Sequence, residues 1–285
     1  PPHTMHSFIL SVLSCFIFAF FPLPAAAAGV VCYVAIIAYA VYALKTSFEN
    51  EMFNRRTHRK PNRVMMHERT AYCDALFWEI AKSFVPDSPR KDAESTAYDL
   101  VFRKGQANTP DCVLYLRIDP EECLRRKNIR GRACEEGVTE LPYLEKLGAA
   151  HDVLYGPDSE LSDAVVKLSD LVSTTAAEAI LKHRVSLIAN LPEPVITCVD
   201  EFEARVMHAL EQREPLRCAV VGNIAAGKST LIKCLQERFG DSVKQVQEPV
   251  DDWSTLLNFY NREPAEGAFP LQMCALQTRI LDWSK

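Results

Sequence analysis

The chain has 285 residues, 48% of them hydrophobic and 24% charged, with a formal net charge of −5. This length and composition provide a buried core for one large domain or two small ones and exclude a disordered polar chain. The acidic balance argues against a general nucleic-acid binder, and ten cysteines scattered without a Cys-x-x-Cys pair read as thiols of a reducing compartment, with no zinc-ligand spacing.

Residues 7–44 carry no charged side chain. Pro22 and Pro24 divide them into two apolar runs, Ser7–Phe21 and Gly29–Leu44, each shorter than the ~20 residues of a spanning helix. One tilted span or a tight pair fits the stretch. So does a signal peptide starting at Met5, with Ile9–Phe21 as its centre and small residues at Ala25–Ala28. The basic run Arg55, Arg56, Arg59, Lys60 and Arg63 would keep the end after a span in the cytoplasm. Translated non-coding sequence is the remaining reading. An apolar segment is therefore expected over residues 1–45, with membrane association as one of its uses.

Further on, Arg126, Arg130 and Arg132 are spaced by four and two. On a helix this places the first two on one face and the third nearby. Taken alone, such a run is a solvated basic helix. The strongest signal comes later, at Gly222-Asn223-Ile224-Ala225-Ala226-Gly227-Lys228-Ser229-Thr230, which fits the phosphate-loop pattern at every position. An apolar strand, Cys218–Val221, precedes it. An amphipathic helix, Leu231–Phe239, follows and ends at Gly240. Small residues let backbone N–H groups curl around phosphates, and the helix N-terminus adds positive potential. Lys228 is expected on the outer phosphates of ATP and Ser229 on Mg²⁺. A second strand, Val243–Val246, leads into Glu248, a carboxylate placed to act as general base toward a substrate hydroxyl. By itself Glu248 is only an acidic residue before a proline.

Together the loop, Glu248-Pro249-Val250 with Trp253, Tyr260, Pro264 and the helix start Phe269-Pro-Leu-Gln272 resemble the deoxynucleoside kinases of the deoxycytidine and deoxyguanosine type. In that family they form the N-terminal half. The other signatures lie earlier in this chain. Val64–His67 followed by Glu68-Arg69-Thr70 resembles a strand ending in Glu-Arg-Ser, and Ala71–Phe84 resembles the helix after it. Cys112–Leu116 resembles the next strand, Arg125–Glu136 the arginine-rich lid, and Leu141–Leu147 with His151 the helix behind the lid. Pro194–Val199 with Asp200-Glu201-Phe202 resembles the last strand and the loop that touches adenine. Several departures stand out: Thr70 replaces serine, Glu266 and Gly267 stand where an aromatic precedes Phe269, and residues 156–191 look like an insertion, helical around Leu161–His183.

The resemblance implies an α/β fold, a P-loop nucleoside-kinase-like three-layer sandwich with a central parallel sheet, in addition to the apolar N-terminal segment. Its halves stand in reversed order, residues 63–212 matching the C-terminal half and 216–285 the N-terminal half. A circular permutation joined through Arg213–Arg217 explains this order. So does a slice of a tandem kinase, and the partial repeat of Ala43-Leu-Lys-Thr46 in Ala275-Leu-Gln-Thr278 favours the slice. Docked halves would complete one site, within a chain or between two chains of a homodimer.

By resemblance, Glu248, Glu68, Arg69, Arg126, Arg130 and Arg132 are the catalytic set. Glu248 takes the 5′-hydroxyl proton, Glu68 and Ser229 serve Mg²⁺, and Arg69 steers the 5′-oxygen. Gly222–Thr230, Asp200 and Phe202 would hold ATP. Trp253, Tyr260, Gln272 and the pair Asp74 and Arg279 would hold the nucleoside, with deoxycytidine or a purine deoxynucleoside preferred over thymidine. His67 and His151 are read as structural. The expected activity is ATP-dependent phosphorylation of a small deoxynucleoside in a cytoplasmic or organellar compartment. The alternative is a partial kinase that only binds ATP, held at a membrane through residues 7–44. A kinase acting on nucleoside monophosphates is disfavoured, because a charged substrate group would fall where Glu248 sits.

Overall fold

The chain divides into two units, Pro1–Thr57 and His58–Lys285. The computed structural model describes residues 63–106, 109–131, 140–246 and 250–283, all within the second. The expected apolar segment and its membrane or signal role lie outside the described residues. Among those described, no helix is long and apolar enough to cross a membrane.

Four short strands, β1 (Val64–His67), β2 (Cys112–Leu116), β3 (Leu216–Gly222) and β4 (Val243–Val246), form one parallel sheet in the order β2-β3-β1-β4. Every pairing joins a strand from residues 63–212 to one from residues 216–285. Neither segment contains two adjacent strands, so neither can build this sheet without the other. The ladder is in register from Val64 opposite Leu216 and Val243, and from Cys112 opposite Cys218.

The helices are α1 (Ala71–Ala81), α2 (Pro89–Gly105), α3 (Pro120–Arg130), α4 (Leu141–Tyr155), α5 (Leu161–Leu171), α6 (Thr174–Asn190), α7 (Val199–Glu211), α8 (Lys228–Phe239), α9 (Val250–Arg262) and α10 (Pro264–Trp283). Strand alternation divides the sheet into two apolar faces. Val64, Met66, Cys112, Leu114, Leu216, Cys218, Val220 and Val243 pack against Phe202, Val206 and Ala209 of α7 and Ile232 and Leu235 of α8. From the opposite face Tyr115 stacks on His151 and leans on Tyr155, both of α4. The result is the expected three-layer α/β sandwich.

Several elements differ from their sequence-based outlines. The expected last strand over Pro194–Val199 contracts to one bridge: Ile196 donates to the Val113 carbonyl at 2.9 Å and accepts from Tyr115 N–H at 2.8 Å. Pro194 has no N–H for the preceding ladder position, and α7 begins at Val199. The single helix expected around Leu161–His183 is two. α5 stops before Val172, and Ser173 caps α6 through its hydroxyl, which accepts from Ala176 N–H. Arg184 then ties α6 to the end of α4, donating to the Val153 carbonyl at 2.8 Å and to Asp158 at 2.6 Å.

The helix expected to start at Phe269 starts at Pro264 and runs through Pro270. Proline suits a first helical turn because its missing N–H has no intrahelical partner there. Gly267 explains the departure noted before Phe269. A Cβ at this position would lie 2.5 Å from Tyr260 Cα, so glycine permits the close crossing of α9 and α10.

His67 and His151 have the structural character expected of them. Burial, with Arg279 and Arg217 nearby, lowers the pKa of His67 to about 3. Burial also lowers His151 to about 3, although its Nδ1 contacts the Leu147 carbonyl at 2.7 Å. Both rings are neutral in the fold but take up protons below pH ~6.5 once unfolded. The unfolded state therefore binds more protons between pH ~3 and ~6.5, and stability rises with pH across that window. Lowering the pH from 7.5 to 5.5 is expected to remove about 3 kcal/mol, measured by urea unfolding at the two pH values. Equal stability at both would show that these rings are not held neutral.

Candidate active site

The phosphate loop follows β3 directly. Gly222 has φ 145°, Ala225 φ 60° and Gly227 φ 99°, so three positive-φ residues curl the chain before α8. A side chain at Gly222 would meet the Leu116 carbonyl oxygen of β2 at 2.5 Å, which requires glycine where the strands pass closely. Lys228 folds back into the loop and donates to the carbonyls of Gly222 and Asn223 at 3.0 and 2.7 Å. Ala226 is buried with Cys123 and Leu144, and Ile224 packs against them, so the loop is seated between α3 and α4. Thr230 is exposed on the first turn of α8.

Glu68, just past β1, reaches this loop from the other segment of the chain. Its carboxylate accepts from Ser229 Oγ at 2.9 Å and from Gln245 Nε2 of β4 at 3.0 Å. Gln245 is a site residue that sequence reasoning missed; its only signal was its place at the end of the strand leading to Glu248. A hydroxyl and a carboxylate at this spacing are the hard oxygen donors that Mg²⁺ takes, so Ser229 and Glu68 fit the ion implied by the loop.

Arg69 lies over the Phe77 ring, its guanidinium carbon 4.4 Å from the ring centroid. Thr70 caps α1, accepting from Cys73 N–H at 3.1 Å, and its hydroxyl pairs with that of Tyr155 at 2.7 Å. The hydroxyl retained in place of serine therefore has a structural use.

Among the expected arginines, Arg126 comes to the loop: its Nη1 is 3.4 Å from the Ala226 carbonyl while Nε donates to Glu122 at 2.7 Å. Arg130 is exposed at the end of α3. The helix stops there because Gly131 takes the left-handed conformation, with φ 62°. Arg132 lies outside the described residues. Glu248 also lies outside them.

The segment expected as a loop at Asp200–Phe202 is helical. Asp200 and Phe202 belong to the first turn of α7. Asp200 is exposed, but Phe202 is fully buried in the core beneath the sheet. Its ring falls on the apolar face of an amphipathic helix, and packing claims it.

On the nucleoside side the structure joins the two segments again. Asp74 of α1 and Arg279 of α10 form a buried ion pair, Oδ2 to Nε 2.5 Å. Beside it, Trp78 stacks on Tyr98 with ring centroids 5.2 Å apart and meets Phe269 edge-on at 5.9 Å. Gln272, one turn from Phe269, is buried. The indole N–H of Trp253 is buried and has no hydrogen-bond partner among the described residues. Tyr260, at the end of α9, is buried. Burial holds the Tyr260 pKa at about 12.

This combination of a phosphate loop, a carboxylate bridging it to a neighbouring strand and a buried nucleoside-side pair can be set against known proteins. The deoxynucleoside kinase family model matches residues 32–189 and 218–283, well over half of the sequence. The chain belongs to the deoxynucleoside kinase family. The match runs through residue 189, so residues 156–189, read from the sequence as an insertion, lie within the family region, while residues 190–217 lie outside it.

Curated relatives include deoxycytidine kinase of Rattus norvegicus, 35% identical over 94 residues, spanning 31% of this chain and 35% of that protein. Deoxycytidine kinase of Homo sapiens is 33% identical over the same length and with the same coverage. Thymidine kinase of Ictalurid herpesvirus 1 (strain Auburn) is 43% identical over 65 residues, 21% of this chain and 28% of that protein. The chain thus spans about a third of the length of the curated relatives it matches. No solved structure matches it significantly.

Proposed function

We propose that this deoxynucleoside kinase family member transfers the γ-phosphoryl group of ATP to the 5′-hydroxyl of a deoxynucleoside. The observation that carries the reading is the placement of Glu68 between Ser229 of the phosphate loop and Gln245 of β4. It sets a carboxylate, a phosphate-binding loop and the strand leading to Glu248 within one small volume.

In this reading the loop Gly222–Thr230 cradles the triphosphate and Lys228 turns from its carbonyl partners to the outer phosphates. Mg²⁺, when bound, offsets charge on the phosphate oxygens. Ser229 and Glu68 present oxygens to it. Glu248 takes the proton from the 5′-hydroxyl, and Arg69, held by the Phe77 face, orients the attacking oxygen. Arg126 sits above the loop to stabilise charge on the transferring oxygens, with Arg130 and Arg132 supplied from the lid. Such a site acts by positioning and charge stabilisation.

The buried Gln272 amide reads a base edge, flanked by Trp253 and Tyr260 and backed by Asp74 and Arg279. The relatives named deoxycytidine kinase lend weight to deoxycytidine or a purine deoxynucleoside over thymidine as substrate. Residues 63–212 and 216–285 act as C-terminal and N-terminal halves that complete one site, an arrangement supported by the interleaved sheet.

The test is an ATP- and Mg²⁺-dependent phosphorylation assay of the purified chain on the deoxynucleosides of the four bases. A monophosphate product is expected, formed fastest from deoxycytidine or a purine deoxynucleoside. Specific activity that does not change on dilution would show that one chain holds the whole site. ATP binding without transfer to any deoxynucleoside would replace this reading with that of a nucleotide-binding partial kinase.

A further inference from the structure

Gln245 owes its place to strand alternation. In the ladder between β1 and β4, Val243 stands opposite Val64 and Gln245 opposite Met66. Val64, Met66 and Val243 belong to the apolar core that packs against Ile232 and Leu235 of α8. The period of two therefore directs the Gln245 side chain to that same face. An amide at the end of an apolar row needs a polar partner. Glu68, two residues past Met66, supplies one. Gln245 is half-buried, and its Nε2 donates to Glu68 Oε1 at 3.0 Å. The other carboxylate oxygen, Oε2, accepts from Ser229 Oγ in the first turn of α8 at 2.9 Å. Glu68 itself is buried, so these two donors, one on a strand and one on a helix, decide where its oxygens point.

The two oxygens of Glu68 thus have different tasks. Oε2 and the Ser229 hydroxyl form the pair suited to Mg²⁺, while Oε1 faces the amide. The terminal torsion of a glutamate is broad, and a hydrogen bond to one oxygen is what narrows it. An amide narrows it without adding charge. A cationic donor in the same place would offset the negative charge that draws a metal ion. We propose that Gln245 is a positioning residue that fixes Glu68 Oε1 and so keeps Oε2 aimed at the metal site beside Ser229. Gln245 also stands three residues before Glu248, so the same amide ties the metal-side carboxylate to the strand leading to the proposed base. This rests on the kinase reading above and names the residue that sets its metal affinity.

The experiment follows Mn²⁺, a spectroscopic substitute for Mg²⁺, as it binds the ATP-loaded chain, using electron paramagnetic resonance. It compares the unaltered chain with Gln245→Met, Glu68→Gln and the double variant. Methionine keeps the length of the side chain and removes the donor. Gln245→Met is expected to weaken Mn²⁺ binding about tenfold and to leave ATP affinity in EDTA within about twofold. The double variant should bind Mn²⁺ no more weakly than Glu68→Gln alone, because Gln245 acts through that carboxylate. Gln245→Thr, whose branched side chain suits a strand but cannot reach Glu68, should repeat the loss and so separate it from a packing defect peculiar to methionine. Unchanged Mn²⁺ affinity, an equal loss of ATP affinity in EDTA, or additive losses would overturn the assignment while leaving the kinase reading intact. The expected pattern of metal binding in a chain that transfers no phosphoryl group to any deoxynucleoside would overturn the kinase reading alone.

Discussion

Replacing Glu248 with glutamine is expected to lower turnover about 10³-fold while leaving ATP affinity within about twofold. Glutamine keeps the size of the side chain and its hydrogen-bonding reach but cannot take the proton of a 5′-hydroxyl. Glu248 follows β4 by two residues, and β4 already delivers Gln245 to the Glu68 carboxylate at the phosphate loop. The lost rate should therefore appear in the chemical step and not in nucleotide binding, which rests on Gly222–Thr230. Single-turnover measurements and ATP titration separate the two. Turnover that survives the substitution would assign the base to another group.

Asp74→Ala is expected to destabilise the fold by about 3–5 kcal/mol, because it leaves the buried Arg279 guanidinium without its carboxylate. The pair is almost fully shielded from water, so solvent cannot replace the lost partner. It also joins α1, which precedes β2, to α10, near the other end of the chain. Weakening it should loosen the docking of the two segments as a whole. Urea unfolding gives the size of the loss. The double change Asp74→Ala with Arg279→Met removes both charges, and is expected to recover most of the stability while altering base preference. A double variant as unstable as Asp74→Ala would show that the defect arises from packing and not from a stranded charge.

Features set by nearest neighbours were legible from residues alone. β4 was bounded correctly as Val243–Val246, a short run framed by two valines that ends three residues before Pro249. The phosphate loop was recognised because its glycines and lysine are a local requirement of backbone curvature. The end of α8 at Gly240 was readable for the same reason, as glycine takes φ 58° at little cost. Local rules misjudged elements whose state depends on packing. Pro194–Val199 is apolar and flanked like a strand, yet it pairs only at Ile196. Phe202 looked like a loop residue, yet it lies in the first turn of a helix with its ring in the core beneath the sheet. The helix that carries Arg126 stops at Arg130, where the left-handed turn of Gly131 ends it.

Family membership and the chemical identity of the phosphate loop were contained in the chain itself, because both depend on residue type at short spacing. The meeting of the segments was not. Glu68 and Ser229 are 161 positions apart, Glu68 and Gln245 177, and Asp74 and Arg279 205. Their contact follows from a sheet in which each strand finds its neighbours in the other segment, a choice made by burying both sheet faces at once. No local pattern encodes that pairing, since parallel strands are matched by the long-range packing of the helices between them and not by a turn.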